Sequence, residues 1–242
     1  MYLRHFTLAI FILCIGLTGS AHSQELQAAI DFGVGIPQGE FRDQSDHVGG
    51  GINLMGGYRF ANSPVMLGLE FGFMNFGTDT RDEALSTTIP DLRVEVENSY
   101  NLVHGDLLLR LIAPPATFRP YVDGLLGFNY FFTETVIRDR DDFFDDDETL
   151  SDTNFEDTAL SYGFGAGTQI RLWQKRGEIT SDMDDVEPSS VYLNIRGRYM
   201  FGREAEYLQK GSIQVEDGQA FYDVSQSKTD LLHIKIGVVV NF

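Results

Sequence analysis

Apolar and polar residues alternate with a period of two along most of this chain. Between Leu26 and Ile36 the even positions Leu26, Ala28, Ile30, Phe32, Val34 and Ile36 are apolar, and the odd positions Gln27, Ala29, Asp31, Gly33 and Gly35 are small or polar. That spacing places the two sets on opposite faces of a β-strand. The pattern returns with Ile52, Leu54, Tyr58 and Phe60 against Asn53, Gly57 and Arg59. After an Asn62-Ser63-Pro64 turn it resumes with Val65, Leu67, Leu69, Phe71 and Phe73, and Glu70 falls on the other face. A fourth segment sets Val103, Leu107, Leu109 and Leu111 against His104, Asp106 and Arg110. A fifth sets Val122, Leu126, Phe128, Tyr130 and Phe132 against Asp123, Gly127, Asn129 and Thr133. The sixth carries Leu160, Tyr162, Phe164, Ala166, Ile170 and Leu172 opposite Ser161, Gly163, Gly165, Gly167, Gln169 and Arg171. The seventh opposes Val191, Leu193, Ile195, Tyr199 and Phe201 to Asn194, Arg196 and Arg198, and the last opposes Leu232, Ile234, Ile236, Val238, Val240 and Phe242 to His233, Lys235, Gly237 and Asn241. Eight antiparallel strands are predicted.

Alternation alone does not decide which face meets solvent. A soluble sandwich buries the apolar face, whereas a membrane barrel turns it toward lipid. Three features favour the barrel. Each segment runs for about 9 to 14 residues, the reach of a tilted bilayer crossing. The glycine-rich polar face suits a crowded lumen. Long polar connections near 37–49, 76–93, 137–157 and 202–227 alternate with short ones near 61–64 and 113–119, as in outer-membrane barrels. The connection 174–189 departs from that rule, being long where a short turn is expected. Aromatic residues fall into two belts, Phe60, Trp173 and Phe242 at one interface and Phe73, Tyr130, Phe132, Tyr162, Tyr199 and Phe201 at the other.

The first residues add an address. Arg4 and His5 precede an apolar run from Phe6 to Leu17, and Ala21-His22-Ser23 supplies a small-x-small cleavage site. Residues 1–23 therefore read as a signal peptide and 24–242 as one barrel domain, with both termini expected on the periplasmic side. Cleavage removes Cys14, the single cysteine, so disulfides and thiolate metal sites are not expected in the exported chain. It leaves 17 basic residues against 36 acidic ones, a charge of −19, which makes nucleic acid an improbable partner.

The chain ends on Lys235-x-Gly237-x-x-Val240-x-Phe242. This pattern resembles the C-terminal signal read by the outer-membrane assembly machinery. Together with the eight segments, it makes the chain resemble the small outer-membrane β-barrel family, of which the OmpA transmembrane domain and OmpX are members. The resemblance implies an all-β, eight-stranded, antiparallel up-and-down transmembrane barrel in the cell outer membrane. It further implies a monomer whose partners are lipid, lipopolysaccharide and the assembly machinery. No peptidoglycan-binding domain follows, so a cell-wall tether is not expected.

Eight strands enclose a lumen that side chains fill. The inward set contains Arg59, Arg110, Arg171, Arg196, Arg198 and Lys235 with Asp31, Glu70, Asp106 and Asp123. These charges are expected to pair, because an isolated buried charge costs several kcal/mol. Asp123 is expected to pair with Arg110, Arg171 or both. His104 and Asp106 share a face at general-base spacing, and Ser45-Asp46-His47 holds the residue types of a hydrolase triad, but no nucleophile is arranged beside the first and adjacent side chains do not converge in the second. No catalytic residue and no cofactor is assigned. Asp139, Asp141, Asp142, Asp145, Asp146, Asp147 and Glu148 are candidate ligands for loop calcium or magnesium, although solvated repulsion accounts for the same run. Asp217-Gly218, between 212–216 and 219–224, predicts a raised hairpin able to recruit a partner by edge pairing. The functional expectation is a non-enzymatic, charge-plugged envelope scaffold or surface-interaction protein. A narrow porin-like channel is the alternative, and a lipid-modifying or proteolytic enzyme a more distant one.

Overall fold

A computed structural model describes residues 25–45, 47–84, 93–139, 150–175, 190–210, 212–216 and 219–242. The signal-peptide reading of 1–23 lies outside them. Eight strands close a barrel: β1 (Glu25–Pro37), β2 (Gly49–Arg59), β3 (Val65–Ala84), β4 (Arg93–Ile112), β5 (Phe118–Asp139), β6 (Leu150–Gln174), β7 (Ser190–Gly202) and β12 (Leu231–Asn241). Each pairs antiparallel with its chain neighbours, and β1 pairs with β12 to close the ring. Phe242 and Leu26 exchange two backbone hydrogen bonds, Phe242 N–H to Leu26 O at 2.9 Å and Leu26 N–H to Phe242 O at 3.3 Å, which locks the seam. A barrel built this way has no unpaired edge within its wall.

The apolar face of every segment points outward. Phe32, Leu54, Phe71, Leu107, Leu126, Leu160, Phe164 and Ile236 are all exposed on the wall, whereas Asp31, Glu70, Arg110, Arg196 and Lys235 are at most 2% exposed within it. The belts are in place, with Phe60, Trp173 and Phe242 exposed at one rim and Phe73 and Tyr162 at the other. Tyr130 stacks on Phe132 and Tyr162 on Phe201 at the second rim.

Two expectations are corrected. β3 to β6 are 20 to 25 residues long, so most of 76–93 and 137–157 is strand and not loop. Beyond the bilayer both faces of a sheet can be polar, and the period-two signal fades while the hydrogen-bonded ladder continues. The connection 37–49 also contains a short helix, α1 (Gly39–Gln44), entered through Gly39 at φ 55°, a backbone conformation open to a residue without Cβ.

Above the barrel β8 (Glu204–Tyr207) pairs with β11 (Ser225–Lys228), and β9 (Ile213–Glu216) pairs with β10 (Gln219–Tyr222). The predicted hairpin therefore stands as a ladder reaching Glu216 opposite Gln219, while Asp217 and Gly218 lie outside the described residues.

Candidate functional site

The lumen is the most elaborated part of the molecule, and strand parity builds it. Odd positions of β1, β2 and β12 and even positions of β3, β4 and β7 point to the axis, bringing Asp31, Asn53, Lys235, Glu70, Arg110, Arg196 and Arg198 together from strands far apart in sequence. Arg110 grips Asp123 with two parallel bonds, at 2.7 and 2.9 Å, and its guanidinium lies 3.7 Å from the centre of the Tyr121 ring. The second oxygen of Asp123 also meets Arg198 at 3.1 Å. Arg198 continues to Glu70 at 2.7 Å, and Glu70 receives Arg196 at 2.9 Å and Lys235 at 2.7 Å. Arg196 then reaches Asp31 at 2.6 Å.

From Lys235 the network passes to Asn53 Oδ1 at 2.7 Å. That atom also meets His104 Nε2 at 2.8 Å, while His104 Nδ1 meets Asp106 at 2.7 Å. Four carboxylates, three arginines, one lysine and one imidazole are thus linked across seven of the eight strands. The charges cancel locally, as a low-dielectric axis requires. β6 contributes space instead of charge. A Cβ at Gly165 would stand 2.5 Å from Arg198 Cγ, and one at Gly167 would stand 2.4 Å from the Tyr121 hydroxyl. The glycine-rich face of the sixth segment is the mould into which the β7 arginine and the β5 tyrosine fit.

A second cluster ties the end of the barrel that carries the chain termini. Arg119 makes a bidentate pair with Glu25, at 2.7 and 3.0 Å, and Arg59 adds a contact at 2.9 Å. The alternating pattern places Arg59 in the lumen but leaves out Glu25, one residue before the first segment, and Arg119, in the connection 113–119. The overlooked signal was parity, since Glu25 continues Gln27 and Asp31, and Arg119 continues Tyr121 and Asp123.

Of the two arginines expected beside Asp123, Arg110 pairs with it and Arg171 does not. Its guanidinium donates to Thr117 Oγ1 at 3.0 Å on an exposed flank, because a register shift between Arg171 and Trp173 redirects the strand end. Asp123 sits opposite Gly165, six residues away along β6, and Arg198 takes the place that Arg171 was expected to hold. Of the terminal pattern, Lys235 is a lumen cation. Gly237 packs where a Cβ would lie 2.1 Å from Ile30 O, and Val240 and Phe242 face outward.

The other end of the lumen is apolar. α1 inserts Phe41, 2% exposed, among Phe76, Phe131 and Tyr207 at centroid distances of 5.8, 5.8 and 5.0 Å. Met74, Leu102 and Leu231 are also wholly buried at this end. The mouth cavity among Phe41, Phe76, Tyr100, Phe131 and Tyr207 measures about 20 Å³, the size of one water. Glu40, on the outer side of α1, accepts the Lys228 backbone N–H and its ammonium, each at 3.3 Å. The backbone donor first, then the ammonium, holds this carboxyl below the usual glutamate range.

His104 spends both ring nitrogens on Asp106 and Asn53, so it has none left to take a substrate proton. Ser45 is buried, His47 is half-buried, and Asp46 lies outside the described residues. Glu70, His104 and Asp106 offer ligand atoms within 4.8 Å of one another, but the Lys235 ammonium already occupies Glu70 as its cation. Asp139 ends β5, and Asp141, Asp142, Asp145, Asp146, Asp147 and Glu148 lie outside the described residues.

The family model for the outer membrane protein beta-barrel domain matches residues 7–177. Comparison with curated proteins gives no match. Solved structures with the same fold include OprG from Pseudomonas aeruginosa, 15% identical over 92% of this chain and 98% of that one, with a TM-score of 0.42. Neisserial surface protein A is 11% identical over 93% of this chain and 100% of that one, with a TM-score of 0.37. A major outer membrane protein from Thermus thermophilus is 13% identical over 91% of this chain and 100% of that one, with a TM-score of 0.36.

Proposed function

The chain belongs to the outer membrane protein beta-barrel domain family, and from that premise we propose a sealed barrel, its termini on the periplasmic side, whose work is done by the sheet and hairpins it holds outside the cell. The observation that carries this reading is the lumen network running without interruption from Arg110 through Asp123, Arg198, Glu70 and Lys235 to His104. An ion crossing the barrel would have to separate several of these pairs at once. Each separation leaves a buried charge uncompensated, at about 3 to 5 kcal/mol. The aromatic layer around Phe41 adds a second barrier at the mouth. A lumen filled to this degree gives rigidity and no path.

A non-enzymatic role follows from the same packing. His104–Asp106 is the one general-base pair in the described lumen, its nitrogens are both engaged, and substrate would have to displace the network to reach it. Function is thereby assigned to the parts above the membrane: the extended β3–β6 sheet and the β8–β11 and β9–β10 ladders. Planar-bilayer recording tests the reading. Purified, folded protein is expected to give no stepwise conductance at about ±100 mV, and steady single-channel openings would replace the sealed scaffold with the narrow channel.

A further inference from the structure

Arg171, which Asp123 does not engage, stands at a hollow in the barrel end that carries the chain termini. Three adjacent strands set a row of polar residues there, because Asn241 of β12 lies opposite Ser190 of β7 and Ser190 lies opposite Gln174 of β6. Two residues further in, Arg171 lies opposite Tyr192. Together with Phe242 and Pro115 they line a cavity of about 130 Å³. It has room for several waters, whereas the mouth cavity at the opposite end holds one.

Two side chains here have unused bonding capacity. Asn241 is only 4% exposed, yet neither its amide nitrogen nor its carbonyl oxygen has a hydrogen-bond partner among the described residues. Leaving both unmade is costly inside a protein, and a ligand that pairs them recovers that cost. Arg171 donates to Thr117 Oγ1 at 3.0 Å and forms no ion pair with any described carboxylate. Glu25 also lines the cavity, but both its oxygens are taken. Oε1 accepts from Arg119 at 2.7 Å and from Gln27 at 3.1 Å, and Oε2 accepts from Arg119 at 3.0 Å and meets Arg59 at 2.9 Å. The side-chain charges described at this rim, Glu25 against Arg59, Arg119, Arg171 and Lys175, are thus positive in sum, although the whole chain carries a formal −18.

We propose that this cavity binds the C-terminal end of a peptide, Arg171 holding the terminal carboxylate and Asn241 the amide that precedes it. A guanidinium presents a planar fork that fits a carboxylate. A side-chain amide with a free donor and a free acceptor is the complement of a backbone amide, which offers one of each. A simple anion such as sulfate would satisfy the arginine but has no hydrogen to give the Asn241 carbonyl. Spacing agrees with a two-point ligand: β12 and β6 stand two interstrand steps apart, about 10 Å, so the short Asn241 and the long Arg171 face each other across a gap that a peptide end can bridge. Tyr192, Pro115 and Phe242 supply apolar wall for the last side chain. Capture of a terminal carboxylate is a recurring mode of peptide recognition. The inference goes beyond the sealed-barrel reading and holds for either direction of insertion.

The probe is N-acetyl-alanyl-alanine with a free carboxyl terminus, titrated to about 1 mM into isotope-labelled full-length protein in nanodiscs, with the same dipeptide amidated at its C-terminus as counterpart. Saturable shifts are expected at the backbone amides of Ser190, Tyr192 and Asn241, with the acid binding about tenfold more tightly than the amide. Arg171→Gln is expected to weaken the acid by about tenfold and to abolish its advantage over the amide. Asn241→Leu exchanges an unpaired amide for an apolar group of similar size, and is expected to weaken both forms alike by about fivefold while keeping the preference for the acid. Unchanged heat-modifiable gel migration certifies each barrel, and Arg171→Gln alone carries the test if Asn241→Leu assembles poorly. No shifts with the parent, equal response to acid and amide, or parent-like binding by a folded variant would overturn the proposal. Displacement of the acid by equimolar sulfate would also overturn it, reducing the cavity to a general anion site.

Discussion

Replacing Glu70 by glutamine tests the lumen at its most connected point. Three cations lie within 2.9 Å of this carboxylate, and at an effective dielectric of about 20 each contact has a gross Coulomb energy of about 6 kcal/mol. Simple addition, about 18 kcal/mol, would overstate the loss several-fold, because Arg196 retains Asp31 at 2.6 Å and Arg198 retains Asp123 at 3.1 Å. Lys235 keeps only the neutral Asn53 amide. The expected cost is that of one uncompensated buried cation, about 3 to 5 kcal/mol. Lys235→Met alone leaves Glu70 with two arginines and is expected to cost about 1 kcal/mol, and adding it to Glu70→Gln should recover about 2 kcal/mol or more, since the orphaned charge is removed. Urea unfolding in lipid vesicles reads these values through Trp173, the single tryptophan, which is 54% exposed on the lipid-facing wall. The reasoning fails if Glu70→Gln stays within about 1 kcal/mol of the parent, or if Lys235→Met is equally damaging.

Phe41→Ala is expected to lower stability by about 3 to 5 kcal/mol through loss of the mouth's aromatic contacts, while bilayer recordings stay silent because the charged layer is untouched. Gly237→Val should disrupt the β1–β12 seam, where even a Cβ meets Ile30 O and Asp31, and cost at least about 1 to 3 kcal/mol by overpacking, measured as a lower urea midpoint. Glu25→Gln weakens the Arg119 and Arg59 contacts, and faster amide exchange in the first residues of β1 is the expected readout. Acid should loosen α1. The Glu40 carboxyl is held below its unfolded value, so its stabilisation is complete above the usual glutamate range and is lost as pH falls through the lower folded value. Exchange at Phe41 and Arg42 should rise at about pH 3 relative to about pH 7 in the parent, and show no such added rise in Glu40→Gln.

The wall was legible because lipid imposes a rule on every second residue. Phe32, Leu107 and Phe164 have to face hydrocarbon, so parity alone placed Asp31, Asp106 and Gly165 on the axis. Length was not legible for β3 to β6, since beyond the bilayer Thr78, Glu97, Thr135 and Thr153 stand where the outer face would otherwise be greasy or the inner one charged, and polar residues on both faces erase the period-two hydropathy signal. The choice of Arg198 over Arg171 as the neighbour of Asp123 escaped for another reason. Both arginines have inward parity in the pattern, and the decision lies in the stagger of β6 against β7 and the irregularity at Arg171.

By itself, then, the one-dimensional pattern determined the number of barrel strands, the face that most of their residues take and the sign of the barrel, greasy outside and charged within, because burial in lipid acts on residues singly. Tertiary structure alone decided which charges meet, how Glu70 became the hub for three cations, and that four strands continue as an edged sheet above the membrane. Pairing depends on the register between strands distant in sequence, and a shift of two residues preserves every face while changing every partner.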